Sequence, residues 1–145
     1  MAPRALLHKK LNFRTVLRRD HVTIRHCPEE KLIWNEWRGM IPSDKLRDAI
    51  IFSCQFIIKN DIELILADYT LMAAPTVEDQ VWVANHSAEL LQHSKLRRVA
   101  NLMAQDLFQQ IAIESIYDMA SEVTLPCTSR DFVVKDDALE WLFSG

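Results

Sequence analysis

Glycine is nearly missing from this chain, which has only Gly39 and Gly145. Neither lies between a strand and a helix start, where bare backbone would have to close on a phosphate, so a Walker-type ATPase and a dinucleotide-binding dehydrogenase are excluded. Cysteine is sparse as well. Cys27, Cys54 and Cys127 are odd in number, far apart, and without the close pairing of zinc or redox sites. Each is expected to pack as a small apolar residue in a reducing, cytoplasmic compartment, with no cofactor and no metal. There is no G-x-S-x-G elbow, and no cysteine sits in a protease signature. No apolar run approaches the roughly 20 residues of a membrane span, and no signal-peptide core is present. These absences predict a soluble chain with no transmembrane segment.

What remains is 145 residues, 49% apolar and 26% charged, enough for one ordinary domain with a single core. Charge is unevenly distributed. Residues 1–19 hold Arg4, Lys9, Lys10, Arg14, Arg18 and Arg19 with no acid, leaving 11 basic against 20 acidic side chains in the rest. The chain therefore divides into a basic N-terminal tail, 1–19, and an acidic α/β domain, 20–145. The tail is expected to lie on its own domain or on a partner subunit. A basic helix with Leu6, Phe13 and Leu17 on one face, meeting a membrane or nucleic acid, is the sharper alternative. No specific nucleic acid is expected.

The spacing of apolar residues changes in a regular order along the domain. His21 to Cys27 (HVTIRHC) and Lys31 to Arg38 (KLIWNEWR) are rich in β-branched and aromatic residues, and Pro28-Glu29-Glu30 joins them as a hairpin. Trp34 and Trp37 then face opposite sides of the second strand, and the adjacent His26 and Cys27 cannot cooperate. Gly39 ends the pair. A helix follows to about Lys59, with Ser43 as N-cap and Leu46, Ile50, Ser53 and Ile57 inward. Ile62 to Ala67 is a continuous apolar run, as in a strand covered on both faces, and Asp68 ends it before a loop. Thr76 opens a helix to about His93, with Val77, Val81, Ala84, Ala88 and Leu91 as the inward stripe. A strand at Arg97 to Met103, a helix at about Asp106 to Met119, a strand near Thr128 to Val133 and a helix at Lys135 to Phe143 complete the order ββαβαβαβα. The βα units require crossovers. The expectation is therefore a single α/β domain with a mixed, mostly parallel sheet of about five strands and helices against it.

Several of these segments carry a family resemblance. The W-x-G at Trp37 to Gly39, the strand ending in Asp68, PTVEDQVW from Pro75 to Trp82, RRVANLMAQDLF from Arg97 and the terminal DDALEWL together resemble bacterial SpoIIAA-like proteins of the STAS and Sec14 type, over about residues 17–143. The resemblance implies a compact α/β domain without enzymatic activity, a regulatory or interaction module, in some relatives suspected of holding lipids. In the anti-sigma-factor antagonists of that superfamily a serine at the start of the helix after the third strand is phosphorylated. Here no Asp-Ser-Ser-Gly type sequence follows Asp68, and Thr76, with Asp79 three residues on, is better explained as an N-cap.

Other candidate residues lie on helix surfaces. Trp82, His86, Glu89 and His93, spaced by four, three and four, would line one side of the second helix away from its inward stripe. A tryptophan off the core suggests an interface, and two histidines seven apart are a poor metal pair. On the first helix, Phe52 and Phe56 occupy one flank and Ile51 and Ile58 the other, surplus apolar surface for a neighbouring helix, a dimer or an apolar ligand. A response-regulator receiver with Asp68 as phosphoacceptor fails because no acidic pair follows the first strand. The functional expectation is a non-catalytic regulatory or protein-interaction module that meets a protein partner or its own copy through helix surfaces and the loop after Asp68. The alternative is a carrier of a small apolar ligand such as a lipid, housed between the first two helices and the sheet. An enzyme would need a polar constellation in the loop from Asp68 to Thr76.

Overall fold

Pro28 to Glu30 closes as one turn of 3-10 helix, and Lys31 takes a left-handed conformation at φ 52°, so the chain reverses between β2 (Val22–Cys27) and β3 (Leu32–Gly39). This computed structural model describes residues 10–105 and 126–145. Ahead of the hairpin, β1 (Arg14–Arg19) pairs antiparallel with β2, from Arg14 opposite His26 to Arg19 opposite Val22. After it come α1 (Ser43–Lys59), β4 (Leu64–Met72), α2 (Val77–Leu91), β5 (Arg98–Leu102), β6 (Thr128–Phe132) and α3 (Lys135–Leu142). The six strands lie in chain order across one sheet: β1, β2 and β3 are antiparallel neighbours, and β3 to β6 run parallel.

Crossovers that always step in one direction and keep the same hand must place their helices on the same face. Accordingly α1 and α2 pack side by side over one face of the sheet. There Val22, Ile24, Ile33, Trp37, Ile65 and Val99 meet Leu46, Ala49 and Ile57 of α1 and Val83 of α2. On the opposite face α3 lays Ala138 and Leu142 against Leu32, Leu64, Leu66, Ala100 and Leu102. Alternate residues of β4 feed the two cores, which accounts for its unbroken apolar run. Trp37 and Trp34 fall on opposite faces as their spacing requires.

The single α/β domain and its mostly parallel sheet match the sequence reading, with corrections in detail. Among the described residues the sheet has six strands rather than about five, because Arg14–Arg19, assigned to the tail, forms an edge strand whose arginines are exposed. Charged side chains suit an edge, where they discourage further pairing. β4 continues past Asp68 to Met72, with a register irregularity between the Glu36–Asp68 and Arg38–Leu71 pairs. Pro42, not Ser43, is the N-cap of α1. On α2 the expected stripe turns by about one residue: Val77 and Val81 are exposed, while Asp79, Gln80, Val83, Ala84 and Ala88 are buried. The helix expected near Asp106 to Met119 lies outside the described residues. Among the described residues no helix is long and apolar enough to cross a membrane.

Candidate functional site

Two helices side by side on a twisted sheet leave a wedge where they diverge from the strands beneath. Here the wedge is a cavity of about 130 Å³, bounded by the sheet, α1 and α2. Its floor includes Trp37, Ile65 and Val99, and its walls include Ile50 of α1 and Val83 and Leu91 of α2. A few polar side chains interrupt this carbon surface. Asn35, in the centre of β3, shares the face of Ile33 and Trp37 and is buried. Its Nδ2 donates to Ser53 Oγ of α1 at 2.8 Å, and its Oδ1 is fully enclosed with no hydrogen-bond partner among the described residues. Cys54 and Ser87 face the cavity from α1 and α2. Burial pushes the Cys54 thiol up to about 11, against a smaller opposing effect of its hydrogen bond with Ser87. At neutral pH this sulfur is therefore protonated and a poor nucleophile.

The residues singled out in the sequence do not converge on this cavity. Asp68 is buried inside β4 on the α3 face, and both of its carboxylate oxygens are engaged. Oδ1 accepts from Thr70 N at 3.1 Å and Thr70 Oγ1 at 2.6 Å, while Oδ2 accepts from Trp34 Nε1 at 3.4 Å. The Trp34 ring is itself approached by two cations, Arg25 at 4.3 Å and Lys135 at 3.8 Å. Asp68 is thus a strand residue that anchors a tryptophan, not the head of a loop. Thr76 is the N-cap of α2, its Oγ1 accepting from Asp79 N at 3.2 Å.

Of Trp82, His86, Glu89 and His93, the first three share one side of α2. Trp82 is half-buried, with the Arg47 guanidinium 5.2 Å from its ring centre and His86 stacked on it at 4.2 Å. His86 Nδ1 donates to the Trp82 carbonyl at 3.1 Å. Glu89 is exposed, and His93 lies beyond the last residue of α2. On α1, Phe52 and Phe56 stack at 6.4 Å, and Phe56 meets His26 edge-on at 5.0 Å, so that flank packs at the margin of the first core. Ile51 is half-buried and Ile58 exposed. None of these four lines the cavity; Ile50, Ser53, Cys54 and Ile57 of the same helix do. Asn35 and Ser87 were missed altogether. Only Asn35 left a signal, as one amide among the apolar and aromatic residues on its side of a strand.

Comparison with solved structures now places the architecture. An uncharacterised protein of the DUF3478 family with a SpoIIAA-like fold, from Shewanella loihica, is similar at a TM-score of 0.52 and 15% identity, over 91% of this chain and 93% of that one. The chain has a SpoIIAA-like fold. SiaC of Pseudomonas aeruginosa is similar at a TM-score of 0.48 and 5% identity, over 84% of this chain and 100% of that one. No protein-family model and no curated protein matches the sequence. In this SpoIIAA-like fold the cavity lies on the face covered by α1 and α2 and reaches Pro75, next to the Thr76 cap.

Proposed function

We propose that this domain works by binding rather than by catalysis, and that its site is the cavity between α1, α2 and the sheet. The observation that carries the reading is an apolar void with one buried amide oxygen left over. Well-packed interiors hold few voids larger than a water molecule. Among the described residues the lining has no carboxylate and no imidazole, and its Cys54 thiol is held protonated, which favours retention of a molecule over its conversion. Size narrows the lipid alternative. An engineered protein cavity of about 150 Å³ accepts benzene, so a space of about 130 Å³ suits a ring or a short chain and not a whole long acyl chain. The test is the native mass of the full chain purified without denaturation from its host. An adduct of about 100 Da, the size of a substituted ring, is expected on the wild type and absent from Ser87→Leu, which fills the wall. A wild type without adduct, or a variant that keeps it, would overturn the reading.

A second reading, a regulatory module that meets a second copy of itself, is favoured by exposed apolar side chains at one end of the sheet. Met40 follows β3, Leu71 is next to last in β4, and Val77 and Val81 lie one turn apart at the start of α2, all exposed. A two-fold axis beside α2 would set the valine pair against its own copy. Sedimentation of the full chain tests this: a dimer that Val77→Asp converts to a folded monomer supports it, and a monomeric wild type removes it.

A further inference from the structure

We infer that the cavity selects a ring-sized apolar molecule bearing one hydrogen-bond donor, a phenol-like hydroxyl, with Asn35 Oδ1 as the acceptor. The inference rests on the cavity reading above and adds the chemistry of what enters. Asn35 is held at one end, its Nδ2 donating to Ser53 Oγ at 2.8 Å. The remaining oxygen is enclosed and, among the described residues, unpaired. A buried acceptor without a partner is costly, and most such groups in folded proteins are satisfied. A lone water could meet Oδ1 but would leave most of an apolar space of about 130 Å³ empty. A donor carried on an apolar body meets both demands: its hydroxyl satisfies Oδ1 while its ring fills the space beside Ile50, Ile65 and Val83. Pockets in general use this design, an apolar wall with a few placed polar groups that set orientation.

The discriminating pair is phenol and benzene, nearly equal in size and different in one hydroxyl, titrated against the full-length wild type by calorimetry and ligand-observed NMR. Burying a hydroxyl without a partner should weaken phenol by tenfold or more relative to benzene, whereas an acceptor in place offsets that loss. The expected result is that phenol binds the wild type at least as tightly as benzene. Asn35→Leu should then weaken phenol about tenfold and leave benzene within about threefold. Ser87→Leu should abolish both. Benzene binding tenfold tighter than phenol in the wild type would remove Asn35 from this role while the cavity reading stands. Failure of both probes to bind would overturn the cavity reading and this inference together, and phenol binding that survives Ser87→Leu would place the site elsewhere. The comparison in the wild type needs no variant, so it decides the matter even if Asn35→Leu does not fold.

Discussion

Asp79→Ala should cost about 3 kcal/mol and lower the melting temperature by about 10 °C, because it removes the polar clasp between the two helices that enclose the cavity. Asp79 is 2% exposed, in the first turn of α2. Its Oδ2 accepts from Ser43 Oγ at 2.8 Å, and its Oδ1 lies 3.4 Å from Arg47 Nη2, both on α1. The helix dipole also favours a carboxylate at this end of α2. Truncation takes from the Ser43 hydroxyl and the Arg47 guanidinium the carboxylate they share, and Arg47 Nε, among the described residues, is already buried without a partner. Glu78 is the internal control. It lies 3.7 Å from the same guanidinium, but its side chain is 87% exposed, so Glu78→Ala should change stability by less than about 0.5 kcal/mol. Urea melts of the two variants decide the point: equal losses would mean that Asp79 is not a clasp.

That clasp also marks where sequence reasoning stops. Apolar patterning identified α1, α2 and α3 and the strands β2 to β5, since each buries a face or a stripe that repeats locally, whereas β6, exposed at four of its five positions, has no such stripe. It mis-set the rotation of α2 because it followed hydrophobicity. Val77 and Val81 looked like core, yet the buried positions are Asp79 and Gln80, each made tolerable by a partner. Gln80 Nε2 donates to Pro75 O at 2.9 Å, and Asp79 is met by Ser43, 36 residues earlier in the chain. The pairing of Asp79 with Ser43 has no local signature. β1 was hidden for the opposite reason, since the arginines that made it look like a tail are tolerated on an edge. Asp68 looked like a strand end because a carboxylate is rare in a buried strand, and only Thr70 and Trp34 make it acceptable there. The cavity is a property of how helices sit on a sheet, and no residue pattern encodes an empty volume. Asn35 was visible as an oddity without a meaning until Ser53 was placed beside it.

Leu66→Ala should cost about 3–4 kcal/mol, while Ile50→Ala should cost about 1–2 kcal/mol, although both remove an aliphatic side chain from the same domain. Leu66 is fully buried near the start of β4 on the α3 face, in one core with Leu32, Ala100 and Leu142. Deleting its methyl groups there forfeits their transfer from water and opens a new hole that the rigid strands cannot close. Ile50 is half-buried and borders a void that already exists. Its truncation enlarges that void and breaks fewer contacts, so the cavity part of the cost is smaller. Urea denaturation with unchanged slopes measures both values. A saturating ring-sized ligand adds a second check, because binding to the folded state alone raises stability by mass action. It should stabilise the wild type and have no effect on Ser87→Leu. Equal costs for Leu66→Ala and Ile50→Ala would mean that the space beside α1 is packed in solution, and the binding reading would fail with it.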